Sequence, residues 1–371
     1  MRAHRDYLYG EVQRDIAARA ELRAIMATKT FRLRGKARAL LARGDAKVSP
    51  NSPSSNVIEH RSYEQWIGHY DNPTAAALQH LNRRLSQLGS RPTFSLLMPV
   101  YNPMEEHLRE AIQSVLRQTY GGWQLCIADD ASTAAYVAPL LEEYSRSDSR
   151  ICVARRSSRG NISEASNSAL NIATGEFVVL LDHDDVIPPH ALACLALDLD
   201  ENPQAGLIYS DEDKVDDSGQ RFEPYFKPEW NPELLLGQNY FSHLGAFRRS
   251  LVQGVGGFRV GFEGSQDYDL TLRVLERLDP SQVRHIPLVL YHWRSHRGSA
   301  ASVAAAKPYA REASVRALTE HLERTQAEGR VAWTGGWGER AVQWPLPAPA
   351  PDVRVLVRRS PSWDGAQSVH A

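Results

Sequence analysis

Apolar residues recur along this chain in two rhythms, and the places where the rhythm changes mark out its elements. Residues 1–45 are rich in Ala, Arg and Leu, contain no proline and carry a weak helical stripe, so they read as helix. The stretch 48–57 contains Ser-Pro-Asn-Ser-Pro-Ser-Ser and reads as a linker. Helical spacing returns around Tyr63–Tyr70 and Ala75–Leu88, and Gly89-Ser90-Arg91-Pro92 closes it. From Phe94 the rhythm becomes strand, helix, strand. Phe94–Val100 is a compact apolar run suited to a strand buried on both faces. Asn102-Pro103-Met104-Glu105 then reads as a helix start, with Asn102 as N-cap and Glu105 closing a capping box. Behind it Met104, Leu108, Ala111, Ile112 and Val115 recur at helical spacing. Trp123–Ala128, Ile151–Ala154, Glu176–Leu181 and Gly206–Tyr209 read as further strands. Between them Pro139–Arg146, Ser163–Ala173 and Pro189–Leu199 read as helices.

This alternation predicts an α/β fold, with a mostly parallel, Rossmann-like sheet flanked by helices and right-handed crossovers. In such sheets ligands bind beyond the carboxyl ends of the strands. Pro-Val-Tyr-Asn follows the first strand, Asp129-Asp130 the second, and Asp182-His183-Asp184-Asp185 the fourth. Acidic groups therefore converge on one edge.

Composition changes this picture in three places. A net charge of −1 over 371 residues gives no overall reason to expect nucleic acid as a partner. Residues 1–48, however, carry twelve Arg and Lys against five Asp and Glu, a pattern of a solvated helix or of peripheral contact with anionic lipid. Three widely separated cysteines, Cys126, Cys152 and Cys194, fit no metal spacing and suggest buried thiols in a reducing compartment. The N-terminus has no signal-peptide core, and no run approaches the ~18–20 apolar residues of a membrane span. A cytoplasmic location is expected, with peripheral contact at the inner face of the plasma membrane.

Three carboxylates within Asp182–Asp185, directly after a buried strand, repel one another strongly in a low-dielectric crevice. A divalent cation relieves that repulsion. Mg2+ or Mn2+ takes one or two protein carboxylates, and substrate phosphates and waters fill the remaining positions. A diphosphate would complete such a site, and the metal would neutralise it as a leaving group.

Four segments in order then resemble the family 2 glycosyltransferases with a GT-A fold. They are Leu97-Met98-Pro99-Val100-Tyr101-Asn102, Ile127-Ala128-Asp129-Asp130-Ala131-Ser132, Arg159 through Asn167, and Leu180 through Asp185. The resemblance implies a nucleotide-sugar donor site formed by Pro99, Tyr101, Asp129, Arg159, Asn167, Asp182 and Asp184, with Asp129 contacting the base. It implies a DxD metal site at Asp184 and Asp185, completed by a late histidine, His292. In related enzymes the base that deprotonates the acceptor hydroxyl is the Asp of a Glu-Asp pair at a helix start. Here that place reads Gln266-Asp267, which makes Asp267 the expected catalytic base. A helix N-terminus is expected to favour its ionised form.

The likeness extends to a bacterial subgroup building polysaccharides such as O-antigen or rhamnose-containing chains. Tyr209 through Lys214, Phe226 through Glu233, Gly256-Gly257-Phe258, Gly264 through Leu270, and Tyr291-His292-Trp293-Arg294 carry it. Asp211, Trp230, Gln266 and Arg294 are expected to contact acceptor or phosphate. What the resemblance implies is an inverting, metal-dependent transfer of sugar from a UDP- or dTDP-linked donor onto a glycan or lipid-linked glycan. A sugar nucleotidyltransferase is the rival, but no glycine-rich basic loop follows the first strand to grip a triphosphate. A non-catalytic binding protein of the same fold is the other rival, and the intact aspartates oppose it.

The expected organisation is a basic helical extension at 1–47, a linker at 48–57 and a helical lead-in at 58–92. A catalytic GT-A domain follows at 93–330, then a flexible, Pro-rich tail at 331–371. In the subgroup such a proline-rich connector introduces a second glycosyltransferase domain, so the tail reads as a remnant unnecessary for turnover.

Overall fold

The computed structural model describes residues 62–295, 308–333, 340–346 and 348–349. The expected helical extension at 1–47 and the linker at 48–57 lie outside the described residues.

The lead-in forms two helices, α1 (Tyr63–Tyr70) and α2 (Ala75–Ser86). Ser62 caps α1 in a reciprocal capping box with Gln65, and Thr74 caps α2 through Ala77 N. Trp66 of α1 is buried edge-on against Phe226, which fixes this helix to the main body.

The strand-helix alternation is realised as β1 (Phe94–Val100), α3 (Glu105–Leu116), β2 (Trp123–Asp129), α4 (Val137–Ser147), β3 (Ile151–Arg155), α5 (Asn161–Asn171), β4 (Phe177–Leu180) and α6 (Ala191–Glu201). Then come β5 (Leu207–Val215), β6 (Arg221–Tyr225), α7 (Pro232–Gly237), β7 (Gly245–Arg248), α8 (Arg249–Gly254), α9 (Gln266–Leu275) and β8 (Val283–Arg294). The eight strands form one sheet in the order β3-β2-β1-β4-β7-β5-β6, with β8 also pairing β5. β1 pairs in parallel with β2 and β4, β2 with β3, and β5 with β8. β7 is wedged antiparallel between β4 and β5.

Both faces of the sheet are covered at its centre, which is why β1, β2 and β4 are mostly apolar along their length. On β1, Leu96 and Met98 enter a core shared with Leu108, Ile112, Leu141 and Leu195 of the helices on one side. Leu97, one residue out of phase, enters the opposite core with Ala165, Ala169, Leu272 and Leu318.

Three expectations need correction. Asn102 is not an N-cap: α3 starts behind Met104, which makes no side-chain cap. Asn102 instead has φ 44° and its Oδ1 accepts from Thr133 N and Ala134 N, tying together the loops after β1 and β2. Second, β5 extends well past the expected end at Tyr209, so Asp211, Glu212 and Asp213 belong to a buried strand. Third, the tail does not begin as a flexible segment at 331. Helix α10 (Pro308–Arg324) is followed by β9 (Arg330–Trp333) and β10 (Arg340–Gln343), paired antiparallel. Arg340 is buried in that hairpin with its guanidinium 4.1 Å from the Tyr268 ring centroid, so the segment is packed onto the domain.

Candidate active site

A cleft of about 1550 Å³ opens at the carboxyl edge of β1 and β4. Pro99, Tyr101, Asp130 and Arg159 line one side, and Asp182 and Asp184 the floor. Asn239, His243, Asp267 and Tyr291 form the far side, with Trp333 and Arg340 at its outer end.

The floor is held by long-range bonds. Asp185 is buried; its Oδ2 accepts from Tyr291 Oη at 2.5 Å and its Oδ1 from Arg294 N at 2.6 Å. Val186 and His292 exchange backbone hydrogen bonds, pinning the acidic turn to β8. Asp182, Asp185 and His243 each offer a ligand atom, all within 4.8 Å of one another. Burial, and then repulsion from Asp184, raises the carboxyl of Asp182 above its usual range; Asp185 is raised further, with Asp182 adding to the repulsion.

His243 lies flat on the Tyr291 ring, centroids 4.4 Å apart, with Nδ1 3.2 Å from Glu212 Oε2. Burial disfavours its imidazolium, but Glu212, Asp185 and Asp182 outweigh that and push it up to about 9. A cluster that draws protons onto both its carboxyls and its imidazole is short of positive charge, and that suits a divalent cation. Carboxylate oxygens with one imidazole are an acceptable donor set for Mn2+ or Mg2+, and Glu212 supplies the outer partner that orients the ring. The residues present therefore fit a metal.

The histidine in that group is not the expected one. On β8, Tyr291 and Trp293 face the cleft, so side-chain alternation turns His292 to the other side. There its Nδ1 meets Asp213 Oδ1 at 2.6 Å. Asp184 lines the cleft beside the three groups without being one of them.

Asp267 stands in the first turn of α9, and its Oδ2 accepts from Asn239 Nδ2 at 2.7 Å. Two structural features place it there. Gly264 has φ 80°, and a Cβ at that position would come 2.7 Å from the Ala310 Cβ of α10, so a side chain would push the helix start away. The expected stabilisation of its ionised form is overridden: burial raises the Asp267 carboxyl, with His243 opposing. A raised carboxylate is a stronger base, provided it is ionised when the acceptor arrives. Gln266 also lines the cleft, where its Oε1 accepts from Gly264 N.

Of the residues expected to meet the nucleotide, Pro99, Tyr101, Arg159, Asp182 and Asp184 line the cleft. The Arg159 guanidinium lies 4.1 Å from the Tyr101 ring centroid. Asp129 does not line it: its Oδ1 accepts from Ser132 N, shaping the turn, while Asp130 faces the cleft and is braced by Arg156 Nε at 2.8 Å. Asn167 is also spent elsewhere, clamping both backbone groups of Phe258.

On the acceptor side only Gln266 holds its expected place. Asp211 is fully buried and binds His285 Nε2 and Lys227 N. Trp230 packs against Phe241. Arg294 is buried under the acidic turn, with Nε donating to the Asp184 carbonyl at 2.7 Å and Nη2 to Glu110, so it braces the floor instead of meeting phosphate. Sequence reasoning missed Glu212, Asn239, His243, Tyr291 and Arg340. Glu212 and Tyr291 lay in segments that carry the resemblance and Arg340 in the tail expected to be dispensable; Asn239 and His243 sit in a connection with no spacing signal at all.

Residues 95–256 match the family described as glycosyl transferase family 2. The chain is 47% identical over 298 residues to the uncharacterized protein y4gI of Sinorhizobium fredii, covering 80% of this chain and 33% of that protein. It is 37% identical over 311 residues to the O-antigen biosynthesis protein RfbC of Myxococcus xanthus, covering 84% of this chain and 24% of that protein. It thus spans about a third and about a quarter of the length of these relatives. The crystal structure of S. aureus TarS residues 1–349 in complex with UDP-GlcNAc has the same fold, with a TM-score of 0.51 at 21% identity over 62% of this chain and 66% of that one. With the family match, the relatives and the sheet in agreement, this chain carries, over residues 95–256, a family 2 glycosyltransferase domain with a GT-A fold.

Proposed function

We propose that the domain spanning 93–330, with the hairpin that follows it, transfers a sugar from a UDP- or dTDP-linked donor to a growing cell-surface glycan, inverting the anomeric centre. One observation carries this reading: ligand atoms of Asp182, Asp185 and His243 converge within 4.8 Å, and Asp182 and His243 line the same cleft as Asp267. The relative RfbC, an O-antigen biosynthesis protein, supports a polysaccharide product. TarS, bound to UDP-GlcNAc, is in keeping with a nucleoside-diphosphate sugar as donor.

Asp182, Asp185 and His243 would hold the cation, Mn2+ or Mg2+, which when bound would neutralise the charge that grows on the departing diphosphate. Tyr101 and Arg159 take the nucleotide side of the cleft, with Asp130 beside them. Asp267 accepts the proton of the acceptor hydroxyl as that oxygen bonds to the anomeric carbon. The bond from that carbon to the diphosphate oxygen breaks on the opposite side. Asn239 holds one carboxyl oxygen of Asp267, leaving the other for the incoming hydroxyl. Among the described residues no helix is long and apolar enough to cross a membrane. We place the reaction on the cytoplasmic side, with membrane contact through residues 1–47.

The test is release of UDP or dTDP from a panel of nucleotide-sugars with Mn2+ present. Asp182→Asn and Asp267→Asn should each abolish transfer, the first also weakening Mn2+ binding and the second leaving it intact. Undiminished turnover in both variants sinks the proposal.

A further inference from the structure

The outer end of the cleft holds a cation that the chemistry above does not use. Arg340 sits in β10, outside the segment matched by the family and within the region expected to be dispensable. It is only 7% exposed, yet it lines the cleft with Asp267 and Tyr268. Its guanidinium rests on the Tyr268 ring, and neither Nε nor Nη2 has a hydrogen-bond partner among the described residues. Burial lowers its pKa from the usual value; Tyr268, through its charge and a side-chain hydrogen bond, and then Asp267 oppose this.

Buried guanidinium groups are ordinarily satisfied, because leaving charged donors dry and unpaired is costly. Elsewhere in this molecule the rule is kept: Arg273 pairs with Asp269, Arg221 with Asp213 and Asp71, and Arg294 with Glu110. Arg340 is held flat by an aromatic face and a strand pairing, with two N–H-bearing nitrogens open. That fork matches the two oxygens of a carboxylate or phosphate. A second cation, Arg311 of α10, lines the same end of the cleft and stacks on Trp333 of β9.

We propose that Arg340 is a specificity-determining residue, binding an anionic group, carboxylate or phosphate, on the acceptor beside the hydroxyl that Asp267 deprotonates. The hairpin β9–β10 is then part of the acceptor site. This rests on the transferase reading above for the word acceptor, though not for the anion site itself.

The full chain, saturated with UDP and Mn2+ so that the donor side is filled, is titrated with glucuronate, glucose 1-phosphate and neutral glucose. The Arg340 side-chain Nε resonance is followed by NMR. The expected result is that one or both anionic probes shift that resonance and bind at least about tenfold tighter than glucose. Glucuronate alone indicates a uronic acid acceptor, and glucose 1-phosphate alone a phosphate-bearing one. Arg340→Gln should erase the preference, Arg340→Lys should keep part of it, and UDP affinity should be unchanged in both. Equal binding of charged and neutral probes by the unmodified chain overturns the proposal, and this comparison stands even if the variants fail to fold. A matching loss of UDP affinity in Arg340→Gln also overturns it, making Arg340 a donor contact. If UDP never binds, the transferase reading fails while the charge preference is still measured.

Discussion

Two acidic segments of this chain look alike as sequence and have opposite fates in the fold. Asp182–Asp185 follows β4, and Asp211–Asp213 lies in β5; both are dense in carboxylates and both are largely withdrawn from water. In β5 the protein supplies the opposite charge itself. Lys227 Nζ meets Glu212 Oε2 at 2.8 Å, Arg221 Nε meets Asp213 Oδ2 at 2.6 Å, and His285 and His292 close on Asp211 and Asp213. Tyr63 of the lead-in helix adds a 2.7 Å bond to Asp213. At the acidic turn Arg294 gives its guanidinium to a carbonyl and to Glu110, so only its backbone N–H reaches Asp185, and a single imidazole, His243, is left to face both Asp182 and Asp185. Charge density therefore does not distinguish a site from a support. What does is whether the fold neutralises the charge or leaves that to a ligand.

The contrast is broken most directly by Asp185→Asn, which keeps the side chain's shape and removes its charge. Turnover should fall about a thousandfold, roughly 4 kcal/mol of barrier, while the melting temperature changes little. A melting point that collapses with activity retained would make the turn structural. Asp213→Ala should do the reverse. It strips His292 and Tyr63 of their acceptor and leaves Arg221 only the carboxylate of Asp71, costing about 3 kcal/mol of stability in urea melts with turnover per folded molecule unchanged.

A smaller effect sharpens the same point. Saturating Mn2+ at a hundred times its Kd should stabilise the protein by about 2.7 kcal/mol. The gain should vanish in Asp182→Asn and persist in Asp213→Ala; a gain lost equally in both would place the ion elsewhere. The smallest effect is one of sign. With EDTA present, the raised carboxyls of Asp182 and Asp185 take up protons in the folded state, so their cost should be relieved as pH falls from neutrality toward the ordinary carboxylate range. Glu212 behaves oppositely: burial alone would raise it, but Lys227 and His243 hold it at about 2. Its stabilisation is fully present above about 4.5 and lost as pH falls through about 2. Comparing stability curves of Asp182→Asn and Glu212→Gln with the parent should show these opposite slopes, and parallel slopes would erase the distinction.

Much of this was legible from local pattern. Apolar runs fixed β1, β2 and β4, helical spacing fixed α3 and α5, and the residues after the strands, with the family resemblance, pointed Pro99, Asp182 and Asp267 to one cleft, though Asp130 and not the expected Asp129 faces it. Errors arose where a residue's use depends on a partner far along the chain. Asn102 looked like a helix cap because its neighbours fit one, yet it serves the loop after β2. His292 looked like a ligand because the resemblance implies a late histidine, but strand parity faces it away, and His243 arrives from an unremarkable connection.

By itself, then, the sequence determined the alternation of elements, the edge where ligands gather and the family. Periodicity and turn chemistry are local, so they survive without coordinates. Only the tertiary structure decided which carboxylates are neutralised, which histidine joins them, and that Arg340 reaches back into the cleft. Those outcomes are sums of charge and burial over residues widely separated along the chain, such as Asp211 with His285 at a separation of 74. Such sums take values only once the chain has closed on itself.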